Sequence, residues 1–153
     1  MLDGAASSRS AARAIPPIDD KAYCKSRGYE SGGAGVLSTL ADITKFASAL
    51  ANGGNGILGR KTIDLMRQDH LRGKAREDFC AATQNPAWRL LKGYSYGLGV
   101  RTLVSLAESG LNGSIGEFGW GSVGGSFIVC DPQERLSLCY LHQLHQPDHM
   151  ENE

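Results

Sequence analysis

The stretch from Gly113 to Gln143 constrains the fold more than any other part of the chain. Ser126 to Cys130 is a short apolar, β-branched run, Asp131-Pro132-Gln133-Glu134 carries turn chemistry, and Leu136 to His142 alternates again. Two such runs joined by a tight turn predict a β-hairpin. Gly119, Gly121, Gly124 and Gly125 stand just ahead of it. Glycines where a strand begins either bend the backbone or let another molecule lie against it. A strand edge opened in this way can offer main-chain N–H groups to a ligand.

The same logic applies to Tyr94–Thr102, which alternates around Gly97 and Gly99 and predicts a strand with a close backbone approach. Helical periodicity is clearest after the glycine turn Ser31-Gly32-Gly33-Ala34-Gly35. Ser38, Thr39 and Asp42 offer N-cap oxygens there, and Leu40, Ile43, Phe46, Ala47 and Leu50 recur at three- and four-residue steps. They predict a helix to about Ala51 with Asn52-Gly53 as its left-handed stop. Ile63, Leu65, Met66 and Leu71 predict a second, shorter helix within 60–70, in which Met66 is a core residue rather than part of a ligand box. Residues 72–92 are mixed and charged, contain Trp88 and are broken by Asn85-Pro86, so a surface loop is expected. Leu103 to Leu111 fits strand or loop. The reading is an α+β domain over 31–143, whose antiparallel sheet comprises the C-terminal hairpin plus one or two further strands and packs against helices. An extended connector precedes it over 1–30, where Ile15-Pro16-Pro17-Ile18 interrupts any regular element, and a polar tail follows over 144–153.

Composition excludes several partner classes. Sixteen Lys plus Arg balance sixteen Asp plus Glu with no clustered basic face, which argues against nucleic acid and acidic membranes. No apolar run approaches the roughly 18 residues of a membrane span. The first fourteen residues are small and polar without the hydrophobic block of a secretory leader, so a cytoplasmic location is expected. Cys24, Cys80, Cys130 and Cys139 show no Cys-x-x-Cys spacing, which speaks against a zinc site. Buried free thiols are expected, although Cys130 and Cys139 sit on opposite arms of the hairpin, where a bridge is conceivable. His142, His145 and His149 with Asp148 read as part of a polar tail rather than a metal site, and His70 suits a helix C-terminus. No metal or cofactor is expected.

Three pieces in order, Ser31-Gly-Gly-Ala-Gly-Val-Leu-Ser-Thr-Leu-Ala-Asp42 with Asn52-Gly53-Gly54, then Tyr96-Gly-Leu-Gly99, then Phe118-Gly-Trp-Gly-Ser-Val-Gly-Gly-Ser126 with Asp131-Pro132, resemble the C-terminal part of the serine β-lactamase-like hydrolases. The branch resembled comprises class C β-lactamases, esterases and D-aminopeptidases, and the likeness covers about Tyr29 to Gln143. It implies a partial β-lactamase/transpeptidase-like fold and acyl transfer to and from a serine. It also places the family's third motif, Lys-Thr-Gly, His-x-Gly or Trp-x-Gly, at Trp120-Gly121-Ser122, with Ser in place of the final Gly. By the same resemblance the backbone N–H of Val123 is an oxyanion donor, and Gly32, Gly33 and Gly124 line the substrate cleft.

The other family motifs are missing. Acyl transfer of this type needs a nucleophilic Ser with a Lys one helical turn later, and a Tyr-x-Asn to shuttle the proton. No serine in the chain is followed three residues on by Lys, and none of Tyr23, Tyr29, Tyr94, Tyr96 and Tyr140 is followed two residues on by Asn. Ser122 and Ser126 sit in no Gly-x-Ser-x-Gly elbow, and Gly119–Gly125 lacks the Gly-Lys-Ser/Thr of a phosphate loop. Two readings remain. One is the C-terminal portion of a serine hydrolase, inactive alone and completed by a partner chain that supplies the N-terminal catalytic half. The other is a non-catalytic ligand- or protein-binding module derived from that fold. An incomplete domain is expected to self-associate through an exposed sheet edge.

Overall fold

The computed structural model of the chain describes residues 36, 38–84, 91–122 and 125–142. The chain divides into two compact units, Met1–Val36 and Leu37–Glu153, and every element below belongs to the second. The expected connector and polar tail lie outside the described residues, as do Gly32, Gly33, Trp88, Val123, Gly124, Cys24, His145, Asp148 and His149.

Helix α1 spans Leu40–Ala51 and begins where the sequence placed its cap: Thr39 accepts the Asp42 N–H at 3.2 Å. It ends through Asn52 and a left-handed Gly53, φ 79°. Ala47, Ala49, Leu50 and Ala51 are buried, whereas Leu40 and Phe46, expected on the core face, are exposed. Only the C-terminal half of the helix lies over the sheet, and small residues there let its backbone come close. Cys130 Sγ donates to the Ala47 carbonyl at 3.5 Å.

Helix α2 spans Arg60–Met66, with Ile63 buried. Helix α3 spans Gly73–Ala82, where a loop is expected from the pattern. It buries no residue fully and so has no apolar stripe to detect, while helix-favouring Lys74, Ala75, Arg76, Glu77, Ala81 and Ala82 and the Lys74–Asp78 pair at 2.8 Å support it locally. Helix α4 is the single turn Leu106–Ser109, in a stretch read as strand or loop. Its signals are short: Ser105 accepts the Glu108 N–H at 3.3 Å, and Gly110 closes the turn at φ 65°.

Five strands form one antiparallel meander among the described residues: β1 Tyr94–Tyr96, β2 Arg101–Leu103, β3 Phe118–Gly121, β4 Phe127–Asp131 and β5 Leu136–Tyr140. The predicted strand over 94–102 is thus a hairpin, β1 and β2, whose turn is stitched to the end of α2 by Leu98 N–H to Met66 O at 2.9 Å, while His70 N–H, past that helix, donates to Tyr96 O of β1 at 3.0 Å. The glycine stretch ahead of the expected hairpin is itself a strand, β3, plus a tight turn. The β4–β5 hairpin forms as the alternation indicated. Asp131 closes its turn by accepting the N–H groups of Gln133 and Glu134 at 3.0 and 3.3 Å.

Helix α1 packs on β4 and β5. The core beneath it comprises Ala47, Leu50, Ala51, Ile63, Phe118 and Cys130, with Leu58, Val100, Ile128 and Cys139 half-buried at its margin. Cys130 faces Ser137 while Cys139 faces Ile128, so the two cysteines are diagonal neighbours, and both are free thiols. Burial pushes the Cys130 thiol up to about 12, with Cys139 and Glu117 adding to the shift. Cys80, by contrast, is exposed on α3. The opposite face of the hairpin is open: Leu136, Leu138 and Tyr140 are 58, 47 and 49 % exposed.

Phe118, 1 % exposed, is the largest side chain of this core. Phe118→Ala is expected to lower unfolding free energy by about 3–5 kcal/mol. Leu138→Ser, on the open face, should change that of the monomer by no more than about 0.5 kcal/mol. Urea titrations followed by circular dichroism measure both.

Candidate active site at the end of strand β3

Strand β3 serves the core at one end and the surface at the other. Phe118 and Gly119 pair with β2, through Thr102 and Arg101, but the β2 register stops there. The β4 register runs on through Trp120↔Ile128 and Gly121↔Phe127. The β2 side of the strand is therefore left at Trp120 and Gly121, within the Trp120-Gly121-Ser122 stretch that resembles the third motif.

The two glycines flanking Trp120 differ in what they do. A Cβ on Gly119 would collide with the Ile128 carbonyl oxygen, so β4 itself demands glycine at that position. A Cβ on Gly121 would meet nothing nearer than Ser126 O at 3.9 Å. The space beside Gly121 is open toward solvent, as a strand edge that receives a ligand requires. Ser122 is exposed, and its N–H donates to Ser126 O at 2.7 Å, while Gly125 N–H donates to Ser122 O at 2.8 Å. These bonds join the end of β3 to the start of β4.

Trp120 is 40 % exposed. Its indole meets the Tyr96 ring edge-to-face, centroids 5.3 Å apart at 87°, and Tyr96 in turn meets Phe79 at 6.4 Å. Such contacts contribute about 0.5–1.5 kcal/mol each beyond burial. They fix the orientation of Trp120 from β1 and α3, elements that the sequence pattern did not connect to it.

The approach to β3 is held by polar groups. Tyr94 OH donates to Glu117 Oε1 at 2.7 Å in a buried setting, and the Arg101 guanidinium lies 4.5 Å from the Tyr94 ring centroid. Burial and the Glu117 carboxylate together push the Tyr94 phenol well above its ordinary range. Arg67 grips Asp64 Oδ1 through Nε and Nη2 at 3.3 and 3.2 Å, and its Nη1 donates to Gly116 O at 3.2 Å, so α2 anchors the segment entering β3. Asp131 accepts the Ser114 N–H at 3.1 Å and ties the same segment to the hairpin turn. On the other flank, Ser95 Oγ donates to Asp69 Oδ1 at 2.5 Å, and Arg76 pairs with Asp69 Oδ2. Helix α2 ends at Met66, short of the expected 70, and His70 lies beyond it with Nε2 at 2.8 Å from Leu65 O. No group of three or more His, Cys, Asp or Glu side chains able to hold a metal occurs among the described residues.

Of the residues singled out in the sequence, Trp120, Gly121 and Ser122 stand together at the open end of β3. Val123, Gly124, Gly32 and Gly33 lie outside the described residues. Tyr94, Tyr96, Glu117 and Asp131 were missed as supports. The contacts by which they support the site span 17 to 24 positions, and no local spacing announces such pairs.

The carboxyls of Asp131 and Asp69 carry a pH signature. Burial raises both, but hydrogen bonds from Ser114, Glu134 and Gln133 to Asp131, and from Ser95, Leu71 and Arg76 to Asp69, outweigh it and leave both below 3.8. Each binds a proton less readily folded than unfolded, so the stability it contributes is complete above the unfolded value and drains as pH falls through the lower folded one. Asp131→Asn should lower stability at pH 7 and flatten its loss below about pH 4 relative to the parent chain. Chemical denaturation at a series of pH values reads this directly.

Comparison with known proteins gives one family. A family model described as Beta-lactamase matches residues 3–153. A search of curated proteins gives no match. Among solved structures, EstCE1, a hydrolase with promiscuous acyltransferase activity, is 30% identical over 82% of this chain and 29% of its own, with a TM-score of 0.61. Simvastatin synthase (LovD) from Aspergillus terreus, in an unliganded selenomethionyl form, is 24% identical over 86% of this chain and 35% of its own, with a TM-score of 0.66, and shows the fold alone. The chain thus spans about a third of the length of the solved proteins it matches.

Proposed function

The chain belongs to the beta-lactamase family, and on that premise we propose that it is the C-terminal portion of a serine hydrolase that cleaves esters or amides by acyl transfer. The observation that carries this is the third-motif strand, which stands at the end of β3 with its β2 side unpaired beyond Gly119. The likeness to EstCE1, a hydrolase with promiscuous acyltransferase activity, supports the reaction class.

In this reading the substrate carbonyl lies beside Trp120-Gly121-Ser122. A serine hydroxyl adds to the carbonyl carbon, a lysine takes the hydroxyl proton, and the negative charge on the carbonyl oxygen is met by the Val123 N–H and by the nucleophile's own N–H. Collapse expels the alcohol or amine, which receives a proton through the tyrosine shuttle. Water or a second alcohol then takes the acyl group from the serine. Trp120 borders the cleft and excludes water from one side, while Gly121 lets the substrate lie close.

The serine, lysine and shuttle tyrosine have no counterpart in these residues, so further sequence must supply them, from a longer polypeptide or a second chain. The exposed Leu136, Leu138 and Tyr140 face favours this reading over a self-sufficient binding module, because a face of that kind is ordinarily covered. The free thiols of Cys80, Cys130 and Cys139 fit a reducing, cytoplasmic setting, and no described helix is long and apolar enough to cross a membrane.

Intact-mass spectrometry after exposure to a fluorophosphonate and, separately, to a penicillin tests the proposal. No covalent adduct is expected on this chain alone, whereas a stoichiometric adduct would show a nucleophile within it and overturn the claim of incompleteness. Light scattering adds a second arm. Association through the open face predicts a dimer or larger species that Leu138→Glu returns to monomer, and a strictly monomeric parent chain would favour the binding module.

A further inference from the structure

The β4–β5 ladder runs from Asp131↔Leu136 to Phe127↔Tyr140 and stops. One position on, a side chain takes over from the main chain. Ser126 Oγ donates to His142 O at 2.8 Å and accepts the His142 N–H at 3.1 Å, so one hydroxyl satisfies both main-chain groups of His142. Its proton is committed to a carbonyl, which is further reason against Ser126 as a nucleophile.

Continuing the same register sets His142 opposite Gly125. A Cβ on Gly125 would collide with the His142 imidazole, which fills the space that a side chain at 125 would need. The Tyr140 ring supports the imidazole edge-on, centroids 5.1 Å apart. An aromatic ring laid over a cross-strand glycine is a recognised way to pin a strand end. Gly125 itself sits at φ 81° and donates its N–H to Ser122 O, while Ser122 donates to Ser126 O. The clasped residues are therefore those that close the third-motif turn.

We propose that Ser126 and His142 form a clasp that positions the third-motif turn, as positioning residues and not catalytic ones. Its functional meaning rests on the acyl-transfer reading, in which that turn carries the oxyanion donor. Such a donor works only when its direction is set before the charge develops. Past Gly121 the described residues of the turn are held by the Ser122 N–H to Ser126 O and Gly125 N–H to Ser122 O bonds. The clasp ties the turn to β5 at the side-chain and main-chain levels together.

Residue-resolved amide exchange on this chain, by NMR, tests the clasp without substrate. Ser126→Ala should speed exchange of the Ser122 and Gly125 amides by about tenfold or more, with the Leu103 amide, bonded to Glu117 O, unchanged. Ser126→Thr keeps the hydroxyl and should restore protection. His142→Ala leaves the main-chain bonds in place, and should make Gly125→Ala less damaging than it is in the parent chain. Unchanged exchange at both turn amides would overturn the proposal. So would an equal rise across the sheet, which would mark a merely structural contact, or a failure of Ser126→Thr to rescue. These readings hold or fail without reference to acyl transfer. A lack of acylation after the missing motifs are supplied would sink the acyl-transfer reading and leave the clasp standing.

Discussion

The burial of Phe118 at the first position of β3 is the contact on which the rest of the site depends. Side chains alternate along a strand, so Phe118 and Trp120 share a face. Phe118 lies beneath α1 in the core, but Trp120 lies beyond it and comes to the surface. One strand thus converts the free energy of core packing into the placement of an exposed motif. Gly119 completes the arrangement by letting the β4 backbone approach where a methyl group would not fit.

Around this strand the chain uses buried polar groups instead of further apolar area. Glu117 accepts a hydrogen bond from the Tyr94 phenol, Asp131 accepts three backbone N–H groups, and Asp69 accepts the Ser95 hydroxyl and pairs with Arg76. Each holds a loop that a small core of mostly alanine, leucine and isoleucine would leave loose. The arrangement has a cost in solvation that is offset only while every donor is in place. Thr102 Oγ1, buried with no partner among the described residues, is an exception. The site is thus held by geometry that depends on several distant segments at once.

The parts of the fold legible in the sequence are those whose causes are local. The Thr39 cap and the Gly53 stop of α1, the Asp131 turn and the alternation of β4 and β5 each arise within a few residues, and the structure has them where the pattern put them. Helix α3 escaped because its stability comes from intrinsic propensity and one ion pair, without an apolar stripe. The β1–β2 hairpin was read as one strand because alternation continues through Gly97 and Gly99 and does not reveal the reversal. Leu40 and Phe46 have helical periodicity but stay exposed, since periodicity identifies an apolar face and says nothing about what covers it.

The sequence by itself determined the family resemblance, the likeness of Trp120-Gly121-Ser122 to the third motif, and the want of Ser-x-x-Lys and Tyr-x-Asn, because these are matters of residue identity and short spacing. Only the tertiary structure decided that β2 releases β3 after Gly119, that Tyr96 and Phe79 brace Trp120, and that Ser126 engages His142 sixteen positions away. The physical reason is register. A strand offers the same hydrogen-bonding groups at every position, and which side chains meet across it is settled by how the strands align when their apolar faces are buried together.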